Sequence, residues 1–551
     1  MKNNLIFLFL LTISGLTFTS CETSDLDLLN DPNTLTTNQA ELDRLMNQIQ
    51  LDFNSFVRAM GSSSGQAVRI DYGFGTTYSD TFDSGEMNGP WSTAYQSLYS
   101  NMLLAEGIAT EIEENKYLGV MKILKGYTLL TMVDFIGDIP FSQATQPVEF
   151  PTPVADPGAE VYAAALGLLT DGSNLLNEPG NNLAVDLYYN NDFSKWKKAA
   201  NTFKMQAYLN MGDMSSFNTI ANDPSSYISS TSDDFQFYYG SNVTDPDTRN
   251  PDYSNDYTVN GGGDYRSNWL MNEMVQSNDP RLRYYFFRQT SCTPGAGCPA
   301  EPGPLPCSNT AKPNHYLGSM VYCAVENGYW GRDHLVAAGI PPDTFRRTVV
   351  GVYPAGGLFD DAVIGDSSHP FQSVSVGAGG GGAGITPIML ASWADLMKAE
   401  AALKANNTGS AAGFLQAAMQ KSISKVASFI SVDPTADSSV APTSNAISNY
   451  INGMVSSFNS GSADVKWTIL AKQSLIGHYT NGIGAYNMYR RTGYPHDLQF
   501  AVDPNPGPFV RSFFYPNNES TTNDNIVQKD GLNTQVFWDT NPPSPGFPVA
   551  N

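Results

Sequence analysis

Charge is scarce in this chain, and positive charge most of all. Only 15% of its 551 residues are Asp, Glu, Lys or Arg, and 53 acids stand against 30 bases for a net charge of −23. Such a balance excludes nucleic acid as a partner, because phosphates would be repelled rather than neutralised. It also leaves no basic patch to hold the protein on an anionic membrane. Histidine is limited to His315, His334, His369, His478 and His496, in no metal-ligand spacing and without an H-E-x-x-H. Neither a metal nor any other cofactor is expected on that pattern. No apolar run reaches the roughly 20 residues that span a bilayer. What is present is 41% hydrophobic and 12% aromatic content, enough for a large core under a surface of uncharged polar groups.

Cysteine is equally sparse, and its five copies are informative by position. Lys2, the apolar stretch Leu5 to Leu16 and the small pair Thr19-Ser20 precede Cys21. That order reads as a lipoprotein export signal over residues 1–20 with Cys21 as the lipidated residue, although Phe18 is bulkier than usual for its position. Residues 21–39, acidic and without apolar period, read as an extended tether. Cys292, Cys298, Cys307 and Cys323 fall within 32 residues crowded with Pro and Gly, spaced C-x5-C-x8-C-x15-C. An even count in an exported chain implies two disulfides, with three pairings open, and the spacing argues against zinc.

From residue 40 onward the periodicity is helical. Leu42, Leu45, Met46, Ile49 and Phe53 recur at three- and four-residue steps, as do Trp91, Tyr95, Leu98, Met102 and Ala105. Residues 116–135 are apolar on several sides and should pack between neighbours. Further helices are expected over 194–212, 265–277, 387–406, 410–430 and 464–489, the pair at 387 and 410 forming a hairpin across Asn406–Gly409. Strands are expected only at 345–353 and 371–376. The fold class is therefore all-α, one domain over 40–551 with long loops at 62–90, 222–264, 290–386 and 495–551.

Three catalytic patterns occur as strings and fail on context. Gly61-Ser62-Ser63-Ser64-Gly65 matches a nucleophile elbow but follows a helix rather than a strand, so a flexible linker is the simpler reading. Gly377, Gly379 and Gly382 spell G-x-G-x-x-G inside eight residues holding six glycines, without βαβ context; a mobile loop is expected. The acid-rich run Asp245–Asp264 lacks the ligand order of a calcium loop. Aromatic and amide-rich loops remain. Sugars offer apolar C–H faces and a hydroxyl rim, which Tyr or Trp platforms and Asp, Asn or Arg side chains match. Asp71, Tyr72 and Tyr78 in one stretch, with Asn327, Tyr329, Trp330 and Arg332 in another, are the candidate ligand residues. The plainer alternative is that each aromatic plugs its loop onto the scaffold.

Taken in order, several segments resemble the SusD/RagB family of nutrient-binding outer-membrane lipoproteins. They are the Cys21 start, Asn30-Asp31-Pro32-Asn33, Trp91 with Tyr95, and Val133 to Ala144 with its Gly-Asp-Ile-Pro-Phe-Ser. Asn201 to Lys204, Asp279-Pro280-Arg281-Leu282, Ala391 to Ala402 and Tyr489-Arg490-Arg491-Thr492-Gly493-Tyr494-Pro495 follow. The resemblance implies a tetratricopeptide-like helical-repeat scaffold, a loop-borne ligand surface and a SusC-like TonB-dependent outer-membrane transporter as partner. It assigns the Gly137–Pro140 and Arg490–Pro495 segments to structure. The expectation is a lipid-anchored, outward-facing receptor for an oligosaccharide, without catalysis. A peptide-binding receptor and a secreted glycoside hydrolase are the rivals.

Overall fold

The computed structural model describes residues 37–290, 293, 305–337, 345–362 and 374–542. Cys21, Cys292 and Cys298 lie outside them, as do His369 and the first half of the strand expected at 371–376. The described residues are predominantly helical, and none of their helices is long and apolar enough to cross a membrane.

The longer helices, in chain order, are α1 (Thr37–Ala67), α2 (Ser100–Glu111), α3 (Asn115–Ile136), α4 (Gly158–Leu175), α5 (Phe193–Met211) and α6 (Met214–Ala221). There follow α7 (Asn268–Ser277), α8 (Ala391–Lys404), α9 (Thr408–Ser428), α10 (Ser444–Ser460), α11 (Ala463–Gly477) and α12 (Ile483–Thr492). Their starts are written in the sequence: Asp192, Asp213, Ser267, Asn407, Thr443 and Ser462 each accept a backbone N–H of the first turn. Their ends are equally local. Gly212 and Gly493 close α5 and α12 in the left-handed region that glycine adopts without strain.

Consecutive helices pair side by side, α3 with α4 and α8 with α9 most extensively. Glycine lets the first pair close. A Cβ on Gly119 would sit 2.9 Å from the Gly172 carbonyl, and one on Gly126 would sit 3.0 Å from that of Ala165. As the all-round apolar pattern predicts, α3 is buried along nearly its whole length.

Buried ionic groups tie the helices together. Asp134 accepts from Tyr162, Asn210, Asn487 and the Trp538 indole. Arg491 forks onto Glu400 at 2.9 and 2.6 Å, and Arg281 onto Asp279 at 2.9 and 2.6 Å. Arg490 donates to the Arg511 carbonyl and to Asn487. Arg490 and Arg491 thus serve structure, as the resemblance implies for the Arg490–Pro495 segment, and so do Asp134, Asp279 and Arg281.

Several expectations are corrected. Residues 61–65 are no linker, because α1 continues to Ala67. Gly61 and Gly65 are the points where Asn481-Gly482 crosses it, with Gly482 N–H bonded to the Gly61 carbonyl at 3.0 Å. The 464–489 helix is two, broken at His478–Gly482. The helix placed from 387 starts at Ala391, because Ile385–Met389 is instead a buried strand (β4) antiparallel to Phe235–Tyr238 (β1). At 345–353 only Val349–Val350 (β3) pairs, with Phe286–Phe287 (β2). Helices α4, α6 and α10 have no counterpart among the helices expected from periodicity. The six-glycine run is packed rather than mobile: a Cβ on Gly384 would lie 2.1 Å from the Pro354 carbonyl, and Gly382 N–H bonds Gly356.

Candidate ligand-binding cleft

Where α1 ends, the chain turns sharply: Ile70 and Asp71 both return N–H bonds to the Gly65 carbonyl, at 2.8 and 3.1 Å. That turn aims residues 71–74 outward beside the face of α1 bearing Arg58, Ser62 and Gln66, one turn apart each. Asp252, the 263–266 segment, Arg347 and Thr480 complete a cleft of about 460 Å³. An isolated backbone bridge between Asp71 and Arg266 holds its two main walls together.

Three aromatic rings supply the apolar surface. Phe74 is 56% exposed, Tyr72 is half-buried, and Tyr265 is held edge-on to Tyr72 at 5.9 Å. Guanidinium groups brace Tyr265, with Arg347 at 3.9 Å and Arg332 at 4.5 Å from the ring centre. The Tyr72 hydroxyl donates to the Val336 carbonyl. Burial pushes that phenol up to about 12, against the pull of Arg332, so it is a neutral hydroxyl at physiological pH.

Charge lines the same cleft in alternation. Arg58 pairs with Asp252 at 2.8 Å, and Arg266 reaches Asp256 at 3.1 Å and Asp264 at 3.6 Å. Two groups are left over. The Asp71 carboxylate, partly open to the cleft, takes no hydrogen bond from another described residue, and the Arg266 Nε, sealed from solvent, has no partner. Burial drives Asp71 up to about 7; Arg266 opposes the rise, and Asp252 and Asp264 add to it. A carboxylate partly open to the cleft and without a protein partner can take a hydrogen bond from a ligand there.

Of the seven candidate ligand residues, Asp71 and Tyr72 line this cleft, and Arg332 supports it from behind Tyr265. The others are elsewhere. Tyr78 is buried, its hydroxyl taking an N–H of Arg69 at 2.9 Å and its ring packed on Phe82 and Phe509. Trp330 is buried against Leu305 and Cys323, and Tyr329 lies under Arg288. Asn327, in a left-handed turn, gives its carbonyl to Arg288 at 2.9 Å. Tyr329 packs in the main core and Trp330 in a small cluster beside it, so burial takes both faces away from any ligand. Cys307 and Cys323 form the described disulfide, with Cα atoms 5.5 Å apart, and it staples that small cluster rather than a cleft loop.

Sequence reasoning missed Arg58, Asp252, Asp264, Tyr265, Arg266 and Arg347. The α1 stripe at 58, 62 and 66 was legible in principle as a polar face continuing an apolar helix. The convergence of 252, 266 and 347 had no signal in spacing.

Comparison with known proteins places this geometry among relatives. Residues 32–296 match a family model described as starch-binding associating with outer membrane, and residues 384–539 match one described as Susd and RagB outer membrane lipoprotein. No curated protein matches. Among solved structures, the chain is similar to a chitin-binding protein at 20% identity and TM-score 0.61, covering 91% of this chain and 99% of the other. It is also similar to a chitin-binding SusD homolog from Flavobacterium johnsoniae at 17% identity and TM-score 0.59, with the same coverage. A susd/ragb family protein from Bacteroides thetaiotaomicron follows at 16% identity and TM-score 0.62, covering 92% and 99%.

Proposed function

Because the chain belongs to the SusD/RagB family of outer-membrane lipoproteins, we propose that it is a surface receptor that captures a glycan in the Asp71–Tyr72–Arg266 cleft. It passes that glycan, without transforming it, to a SusC-like TonB-dependent transporter. Cys21 carries the lipid that holds it at the membrane, with the cleft side facing outward. One observation carries the reading: an open cleft that joins aromatic faces to the Asp71 carboxylate, which no described residue hydrogen-bonds, with arginine side chains beside it. Aromatic faces suit the C–H sides of pyranose rings, and the polar pair suits their rim.

Two of the similar solved structures are described as chitin-binding. An N-acetyl amide offers one donor and one acceptor, the complement of Asp71 and Arg266, so N-acetylated hexosamine chains head the ligand panel. Titration calorimetry of the mature protein against N-acetylchitohexaose, maltohexaose, cellohexaose and a hexapeptide pool tests the proposal. Heat from a sugar hexamer that Phe74→Ala and Asp71→Ala each weaken by about tenfold or more supports it. Binding of the peptides alone, or release of shortened sugars, overturns it.

A further inference from the structure

A second cleft of about 480 Å³ opens between the Trp91–Leu104 stretch, the 140–153 loop and Glu519–Asn523. Its floor is aromatic. Trp91 and Tyr95 lie with ring centres 4.6 Å apart, and the Tyr95 hydroxyl is fixed on the Pro140 carbonyl at 2.7 Å. The chain there is a π-helical turn, Thr93–Tyr99, set between two α-helical stretches. Wide turns of this kind cost hydrogen-bond geometry and recur where a site needs a side chain re-aimed. Leu104, 60% exposed, extends the apolar surface to the rim.

Charge is nearly absent. Glu519 is the one acidic or basic side chain among the described residues of the lining, whereas the first cleft holds three arginines and three aspartates. Amides take its place, and they are half-used. Gln143 spends its carbonyl on the Val154 N–H at 3.0 Å, leaving its NH2 group. Gln146 spends its NH2 on the Ser142 carbonyl at 3.0 Å, leaving its oxygen. One donor and one acceptor thus flank an aromatic floor in a space large enough for a few sugar rings.

We propose that this is a second binding site, for an uncharged oligosaccharide. It rests on the glycan reading above for ligand class only; its residues are wholly separate from the first cleft. A protein segment rich in apolar side chains is the competing occupant, and it would leave both glutamines unpaired.

Calorimetry on the full mature chain separates the cases, with maltohexaose, cellohexaose and N-acetylchitohexaose as probes. Tyr72→Ala with Phe74→Ala disables the first cleft. In that background one equivalent of a hexamer should still bind. Adding Leu104→Glu and Gln146→Glu, both at exposed positions, should weaken that remaining binding by about tenfold or more. Gln96→Trp, which fills the space without charge, should do the same. A wild type binding a single equivalent that Tyr72→Ala with Phe74→Ala abolishes overturns the second site and leaves the first standing. Residual binding indifferent to both cleft-filling changes also overturns it. A wild type that binds no hexamer overturns the glycan reading along with this one.

Discussion

The helical scaffold and the first cleft bury comparable polar chemistry and treat it in opposite ways. In the scaffold Glu400 meets a two-pronged Arg491 and Lys404, and Asp134 is satisfied from four directions. At the cleft the Asp71 carboxylate takes no hydrogen bond from another described residue and Arg266 keeps an idle Nε. The electrostatics diverge accordingly. Burial alone would raise both acids, yet Arg491 and Lys404 bring Glu400 down to about 2, while Asp71 stays up at about 7. An idle guanidinium Nε is common to both regions, since Arg490 keeps one too; the difference lies in the acids, paired in the scaffold and unpaired at the opening.

The largest test of that contrast removes a scaffold partner. Arg491→Met strands Glu400 in the core and should cost about 3 to 5 kcal/mol in denaturant unfolding, with ligand affinity of the folded protein unchanged. Affinity loss without destabilisation would erase the distinction between the regions. Glu400 also sets an acid limit. Its folded value lies below its ordinary one, so its contribution is complete above about pH 4.5 and disappears as pH falls through about 2. Arg491→Met should flatten that part of the acid-unfolding curve.

The reverse experiment comes next in size. Phe74→Ala, at an exposed ring, should weaken glycan binding about tenfold while shifting stability by no more than ~0.5 kcal/mol. A smaller and sharper effect belongs to Asp71. Because its folded value is raised, the folded protein holds the extra proton between about pH 4 and pH 7, and stability declines as pH climbs through that window. Asp71→Asn should remove this slope in thermal unfolding, and should remove any change in glycan affinity between pH 6 and 8. A wild-type slope that survives in the variant would show that Asp71 does not titrate there. Smallest of all should be reduction of the Cys307–Cys323 bond. Neither cysteine lines the cleft, so reductant should change affinity less than about threefold.

Much of the scaffold was legible because helices are local. The stripe from Leu42 to Phe53, the apolar sheath of 116–135 and the turn at 406–409 each carry their own periodicity or stop signal, and the structure keeps all three. The errors have a common cause. Gly61–Gly65 and Gly377–Gly384 were judged as chain segments, whereas their glycines answer to distant backbone, Asn481-Gly482 in one case and Pro354–Gly357 in the other. β4 looked helical because its partner, β1, lies about 150 residues earlier. Aromatic content was equally ambiguous. Tyr72 and Trp330 are indistinguishable as letters, yet one lines a cleft and the other is sealed under Leu305 and Cys323.

By itself, then, the chain's order of residues determined a helical class, a family likeness and the caps and glycines at which helices stop. These rest on interactions within a few residues or on patterns readable along one line. Only the tertiary structure decided which polar groups found partners and which did not, because pairing depends on the approach of segments hundreds of positions apart. Arg58, Asp71, Asp252, Arg266 and Arg347 share no spacing, but they share a cleft.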